Sequence, residues 1–171
     1  KSIFFEIFFK ALKKNKYKSP LILICCKEIL LQEIKKYKFK KKIRVLNSNE
    51  IRNTIIDNKT LNIINIKLRK SQIQKLNDKL KKRYIEDSFN TALKLIKSGY
   101  THKFINGPIN KSSFLNKKYL GVTEYISKKF NKKDIGMLIY NKDLSVCPLT
   151  THLPLKLVPK KINKKLIEKK N

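Results

Sequence analysis

The chain has 171 residues, 41% of them hydrophobic, enough for one domain with a core of its own. Its 42 Lys+Arg against 12 Asp+Glu give a formal charge of +30, which would ordinarily point to nucleic acid. Arg44, Arg52, Arg69 and Arg83 are the only arginines, however, and the lysines run from Lys1 to Lys170 without a basic arm. Arginine is the bidentate reader of phosphates and guanines, so the pattern argues against specific nucleic-acid recognition and for a compositional bias toward Lys, Asn and Ile.

Ile3, Phe4, Ile7, Phe8, Ala11 and Leu12 recur at helical spacing and predict an amphipathic helix capped by Ser2. Glu6 interrupts this apolar stretch and no small-residue cleavage site follows, so it does not read as a signal peptide. No run approaches the roughly 20 apolar residues of a membrane span, and a cytoplasmic protein is expected. After Pro20, Leu21 to Cys26 is a continuous apolar run of strand length, suited to a strand buried on both faces. Cys25 and Cys26 point to opposite faces of such a strand and read, with Cys147, as small buried hydrophobes.

A helix is predicted through Leu30, Leu31 and Ile34, and strands over Ile43 to Leu46 and Leu61 to Ile66. Ser71 is read as the cap of a long helix ending at Ser98, with Gly99 at the position of a C-terminal capping glycine. A short strand over His102 to Ile105, a helical turn over Ser112 to Asn116, and a helix capped by Thr123 follow. Gly136 to Tyr140 and Leu144 to Leu149 predict a hairpin around Asn141-Lys142-Asp143, and Pro159 opens a last helix whose lysines form a solvated face. The fold class is α/β, with helices on a mainly parallel sheet and one antiparallel hairpin.

Three segments carry chemistry. Leu149-Thr150-Thr151-His152-Leu153-Pro154-Leu155 places one of two histidines between hydroxyls and a proline, just beyond a predicted strand. A neutral imidazole there is suited to a divalent metal, with neighbouring hydroxyls to orient it. Upstream stand Ile105-Asn106-Gly107-Pro108-Ile109-Asn110-Lys111 and Gly121-Val122-Thr123-Glu124-Tyr125.

In this order the three segments resemble the 4-hydroxythreonine-4-phosphate dehydrogenase family of pyridoxal phosphate biosynthesis. Lys1 to Ile7 is similar to the family's Ala-Gly-Ile-Gly-Pro-Glu-Ile segment at Ile3, Glu6 and Ile7. The resemblance implies an α/β/α fold like that of isocitrate and isopropylmalate dehydrogenases. Residues 1–171 would then be a single α/β region, the first part of a longer two-domain enzyme, lacking its first strand and its C-terminal part.

It also implies NAD-dependent oxidation, with decarboxylation, of 4-phosphohydroxy-threonine to 3-amino-2-oxopropyl phosphate. The implied cofactors are NAD and one divalent metal (zinc, magnesium or cobalt), held by three histidines shared across a homodimer. His152 matches the first of these metal ligands. Thr123 matches a substrate-binding threonine, and Val122 replaces the substrate-binding histidine of the family's Gly-His-Thr-Glu. Gly107, Pro108 and Lys111 match a Gly-Pro-x-x-Lys turn. No Gly-x-Gly-x-x-Gly fingerprint is present, so NAD rests on the resemblance alone, and no catalytic residue is assigned. The alternatives are a dehydrogenase of a related four-carbon phosphorylated hydroxy acid, an inactive remnant, or a lysine-rich nucleic-acid-binding protein.

Overall fold

The computed structural model describes residues 3–110, 114–115, 119–132 and 135–170. The chain forms two compact units, Lys1–Phe114 and Leu115–Asn171. Ser2 and Lys111, together with most of the turn expected over Ser112 to Asn116, lie outside the described residues; Phe114 and Leu115 are helical.

In the first unit, β1 (Ile22–Cys25), β2 (Ile43–Leu46) and β3 (Leu61–Asn65) make a parallel sheet in the order β1-β3-β2. Ile22 pairs with Asn62 and Ile43 with Leu61, so β3 is the central strand. Its residues Leu61, Asn62, Ile63 and Ile64 are all buried, as a strand covered on both faces requires. The edge strand β2 leaves Arg44 and Val45 exposed, and a charged side chain there discourages pairing with another chain.

Strand alternation sends side chains to two clusters. On one face Leu23, Cys25, Leu61 and Ile63 pack with α1 (Phe4–Lys14), α2 (Lys27–Lys36) and Phe39. On the other, Leu46 and Ile64 meet Ile51 and Leu95, the latter from α4 (Asp78–Lys97). Helices therefore cover both faces of the parallel sheet. Asn62, fully buried at the middle, donates to the carbonyls of Asp57 (2.6 Å) and Leu21 (3.4 Å) and accepts from the Thr60 hydroxyl (3.1 Å). It ties the chain entering β1 to the turn before β3, and its polar group is satisfied there.

Helix α1 is amphipathic as expected, but its inward face is rotated. Phe5 and Phe9 are buried, whereas Ile3 and Ile7 are exposed. Phe9 stacks on Phe39 at 4.5 Å between ring centroids and meets Tyr37 at 6.0 Å. Larger aromatic surfaces win the interior over the aliphatic stripe that simple periodicity favours.

The single helix expected from Ser71 to Ser98 is two. Short α3 (Lys70–Gln74) ends at Lys75, and α4 begins after Asn77, whose side chain accepts from the Leu80 amide at 2.9 Å. Asparagine competes for backbone donors and starts a helix better than it continues one. At the far end Gly99 has φ +73°, with its amide on Ile96 O and the Tyr100 amide on Leu95 O. This is the paired C-terminal closure expected of a glycine there.

The segment 102–110 forms no strand, because no described strand pairs with it, and Ile105 stays exposed. The Gly107 backbone lies against the Phe4 ring, and a Cβ at this position would collide with it. Packing thus explains the glycine of the Gly-Pro turn.

Burial raises the Cys25 thiol to about 12 and also raises that of Cys26. Tyr84 is likewise pushed up by burial, and its hydroxyl accepts the Cys26 amide at 2.9 Å. These cysteines are buried and protonated, as their place in an apolar strand suggested.

The second unit holds α5 (Val122–Lys129), a 3-10 turn (Leu155–Leu157), α6 (Val158–Lys161) and α7 (Lys164–Lys170). The expected hairpin shrinks to one antiparallel bridge, Ile139 with Val146, closed by two amide bonds of 2.8 and 2.9 Å. Its turn is the expected one, with Asn141 Oδ1 accepting the Asp143 amide at 3.1 Å. The terminal helix is also divided. Pro159 lies inside the first turn of α6, and Asn163 starts α7 by accepting the Leu166 amide at 2.9 Å.

Candidate active site

Helix α5 begins at Gly121, in extended conformation, and carries Val122, Thr123 and Glu124 in its first turn. Thr123 is not the cap expected of it: it lies one residue inside the helix, and no side chain caps this end. A carboxylate at Glu124 is favourable beside the unpaired amides of a helix N-terminus. The Glu124 side chain folds back over Gly121, where a Cβ would come within 2.8 Å of Oε2. Gly121 leaves the room for that fold-back.

The other half of the site comes from the loop after the Ile139–Val146 bridge. His152 does not follow a strand, since residues 147–154 are irregular. Its backbone takes φ +58°, a left-handed conformation uncommon for residues with a side chain. Such conformations cluster at functional sites and cost about 1–3 kcal/mol where they occur. The imidazole is half exposed, with Nε2 3.9 Å from Glu124 Oε1. Two segments 28 positions apart in sequence therefore meet at one polar contact, within one unit.

The neighbours of His152 face elsewhere. Leu149, Thr150, Thr151 and Leu153 line a shallow pocket of about 440 Å³ with Lys161 and Asn163. The lysines of this end, Lys160, Lys161, Lys164 and Lys165, are exposed, the solvated face expected of them. Val122 and Thr123, the expected substrate contacts, are half-buried at the start of α5. The sequence shows Glu124 only as a member of the Gly-Val-Thr-Glu segment. Its place three residues after the start of a helix is the signal by which it is found.

No group of three or more His, Cys, Asp or Glu side chains is placed to hold a metal ion among the described residues. Protein zinc sites with an open position generally use three protein ligands. Among the described residues His152 and Glu124 supply two donors, one fewer than such a site uses.

Comparison with known proteins was decisive for the family. The model of the pyridoxal phosphate biosynthetic protein PdxA family matches residues 16–171. The chain belongs to this family. Among curated family members, the 4-hydroxythreonine-4-phosphate dehydrogenase of Aquifex aeolicus is 43% identical over 76 residues, covering 42% of this chain and 23% of that protein. That of Wigglesworthia glossinidia brevipalpis is 27% identical over 158 residues, 90% of this chain and 47% of the relative.

Crystal structures agree on the fold. A 4-hydroxythreonine-4-phosphate dehydrogenase from Klebsiella pneumoniae superposes with a TM-score of 0.72 at 22% identity, over 97% of this chain and 52% of that one. A putative one from Salmonella typhimurium gives 0.71 at 20% identity, over 99% and 54%. The chain spans about half the length of these solved family members. The family is one of dehydrogenases in pyridoxal phosphate biosynthesis, and no described helix is long and apolar enough to cross a membrane.

Proposed function

We propose that this chain is the first part of a cytoplasmic, homodimeric 4-hydroxythreonine-4-phosphate dehydrogenase with active sites shared between subunits. The reaction is oxidation of the secondary alcohol of 4-phosphohydroxy-threonine. The carbinol hydrogen leaves as hydride to the nicotinamide of NAD, and the hydroxyl proton is released. The resulting β-keto acid loses carbon dioxide to give 3-amino-2-oxopropyl phosphate. The nicotinamide supplies the redox chemistry, and the protein supplies position and field.

The observation that carries this reading is the match of residues 16–171 to the pyridoxal phosphate biosynthetic protein family; within the chain, His152 lies 3.9 Å from Glu124. Each belongs to a separate family-like segment, and the fold brings the two together. Thr123, in the same first turn as Glu124, offers its hydroxyl as donor or acceptor to substrate. His152 serves as one ligand of a divalent zinc, magnesium or cobalt ion. Among the described residues the donors fall short of a metal site, and this reading assigns the remaining ligands to other parts of the assembled enzyme. Val122, which cannot donate or accept a hydrogen bond, replaces a histidine at the start of α5. That change favours the second reading, a related four-carbon phosphorylated hydroxy acid as substrate.

The test is NAD reduction with 4-phosphohydroxy-threonine and added zinc or magnesium. The purified 171-residue chain is expected to be inactive, and the full gene product active. Turnover by the short chain at the rate of the full product would place the active site within residues 1–171, against this reading.

A further inference from the structure

The turn at Asn106-Gly107 joins an exposed asparagine to one of the chain's four glycines. Gly107 alone follows an asparagine, since Gly99, Gly121 and Gly136 follow Ser98, Leu120 and Ile135. A glycine has no Cβ, so nothing on that residue shields its amide nitrogen from the side chain before it. The Asn106 side chain folds forward along this peptide, with Nδ2 donating to the Gly107 carbonyl at 3.2 Å. Among the described residues the Gly107 amide donates no hydrogen bond, and residues 102–110 belong to no helix or strand.

We infer that Asn106 is a site of spontaneous covalent modification, its side-chain amide converting to aspartate and isoaspartate through a cyclic imide. The Gly107 nitrogen attacks Asn106 Cγ and loses its proton. The Cγ–Nδ2 bond breaks, and ammonia leaves with that proton. Water then opens the ring at either carbonyl, giving aspartate or, with the chain rerouted through the side chain, isoaspartate. No oxidant or cofactor takes part. Both products put a carboxylate beside the Gly107-Pro108 turn, within a segment that resembles the family's. Isoaspartate also lengthens the backbone next to the Phe4 ring, against which Gly107 is packed.

Asparagine is thermolabile wherever it occurs, but the other sites are less disposed to this chemistry. Asn47, Asn77, Asn141 and Asn163 hold amides two or three residues on with their side-chain oxygens. Each must break that bond to react, and each is followed by a residue with a side chain. Asn62 is fully buried, with its amide engaged.

The test is peptide mapping of the 171-residue chain, folded and in urea, after incubation at neutral and mildly alkaline pH. Trypsin releases the peptide from Phe104 to Lys111, and fragmentation in the mass spectrometer separates Asn106 from Asn110. In the folded chain Asn106 should lose its amide before Asn47, Asn77, Asn141 or Asn163 does. The loss should quicken as pH rises, with isoaspartate among the products. Asn106→Gln, whose longer side chain must close a larger ring, should abolish the conversion and keep the fold, since the side chain is exposed. Aspartate without isoaspartate would mean direct hydrolysis and overturns the route. Conversion in urea alone would show that packing on Phe4 protects the turn, and it overturns the inference, as does an Asn106 that keeps its amide in both states.

Discussion

Residues 1–114 and 115–171 differ in where their apolar side chains go. The first region buries seventeen hydrophobic residues, from Phe5 to Phe114, on both faces of a parallel sheet. The second buries only Leu115 and Tyr125 among its described residues, and exposes twelve large apolar side chains from Leu120 to Ile167. The first supplies its own core; the second holds the His152–Glu124 contact but little to pack it on. Burial is therefore concentrated in the first region and the candidate site lies in the second, and substitutions should separate the two.

The largest difference is expected in truncation of apolar residues. Ile63→Ala, at a fully buried position in the central strand, should cost about 2–5 kcal/mol in urea unfolding. Ile139→Ala, 58% exposed in the second region, should cost within about 0.5 kcal/mol. Equal costs would break the comparison. Gly107→Ala sharpens it: the added methyl meets the Phe4 ring, and about 1–3 kcal/mol should be lost in the same unfolding measurement.

Helix caps should show a smaller contrast. Asn77→Ala removes the acceptor that starts the 20-residue α4, whose buried side chains pack on the sheet, and should cost about 1 kcal/mol. Asn163→Ala removes a similar bond from α7, and global stability should scarcely change, while amide exchange of Leu166 and Ile167 rises. These two asparagines also mark the limit of sequence periodicity. Both lie inside apolar patterns that continue past them, so each pair of helices reads as one. Only the local bond from the Asn side chain to an amide three residues on divides them.

Other features were legible for definite reasons. The three strands were, because Leu21 to Cys26 is a continuous apolar run suited to a sheet covered on both faces, and Ile43 to Leu46 and Leu61 to Ile66 are short apolar-rich segments separated by a polar stretch. So was the end of α4, because Gly99 meets a backbone requirement that is independent of the rest of the fold. The strand expected over His102 to Ile105 was not, since pairing depends on a neighbour and not on the segment itself. Nor was the inward face of α1, decided by contacts of Phe9 with Phe39 and Tyr37 that lie about thirty residues away. At the site, His152 was legible as an imidazole set among hydroxyls and Thr123 through the resemblance, whereas the nearness of Glu124 to His152 depends on the fold.

The smallest contrast is in the thiols. Cys147 is half-buried, whereas Cys25 and Cys26 are buried. A thiol-specific reagent should label Cys147 first, with the other two modified only on unfolding. The folded-state pKa of Cys25 is raised from 9.0 to about 12, so the folded chain keeps a proton that the unfolded chain releases in that interval. Its contribution to stability is complete below about pH 9 and is lost as pH rises toward about 12. The lysines titrate in the same window, so the check is a comparison with Cys25→Ala. The wild-type urea midpoint should fall relative to the variant's as pH rises from about 9 to about 12. A difference that does not change with pH would contradict the burial of Cys25.

The most direct measurement of the central claim is NAD reduction by the full gene product, with and without His152→Ala, at saturating 4-phosphohydroxy-threonine and zinc or magnesium. If His152 serves the metal at the active site, its removal should lower turnover by about 100-fold or more, the scale of losing one group that stabilises developing charge. The folded fraction should be unchanged, because the half-exposed side chain supports no core. Turnover of His152→Ala within a few-fold of wild type would contradict the assignment of this loop to the active site.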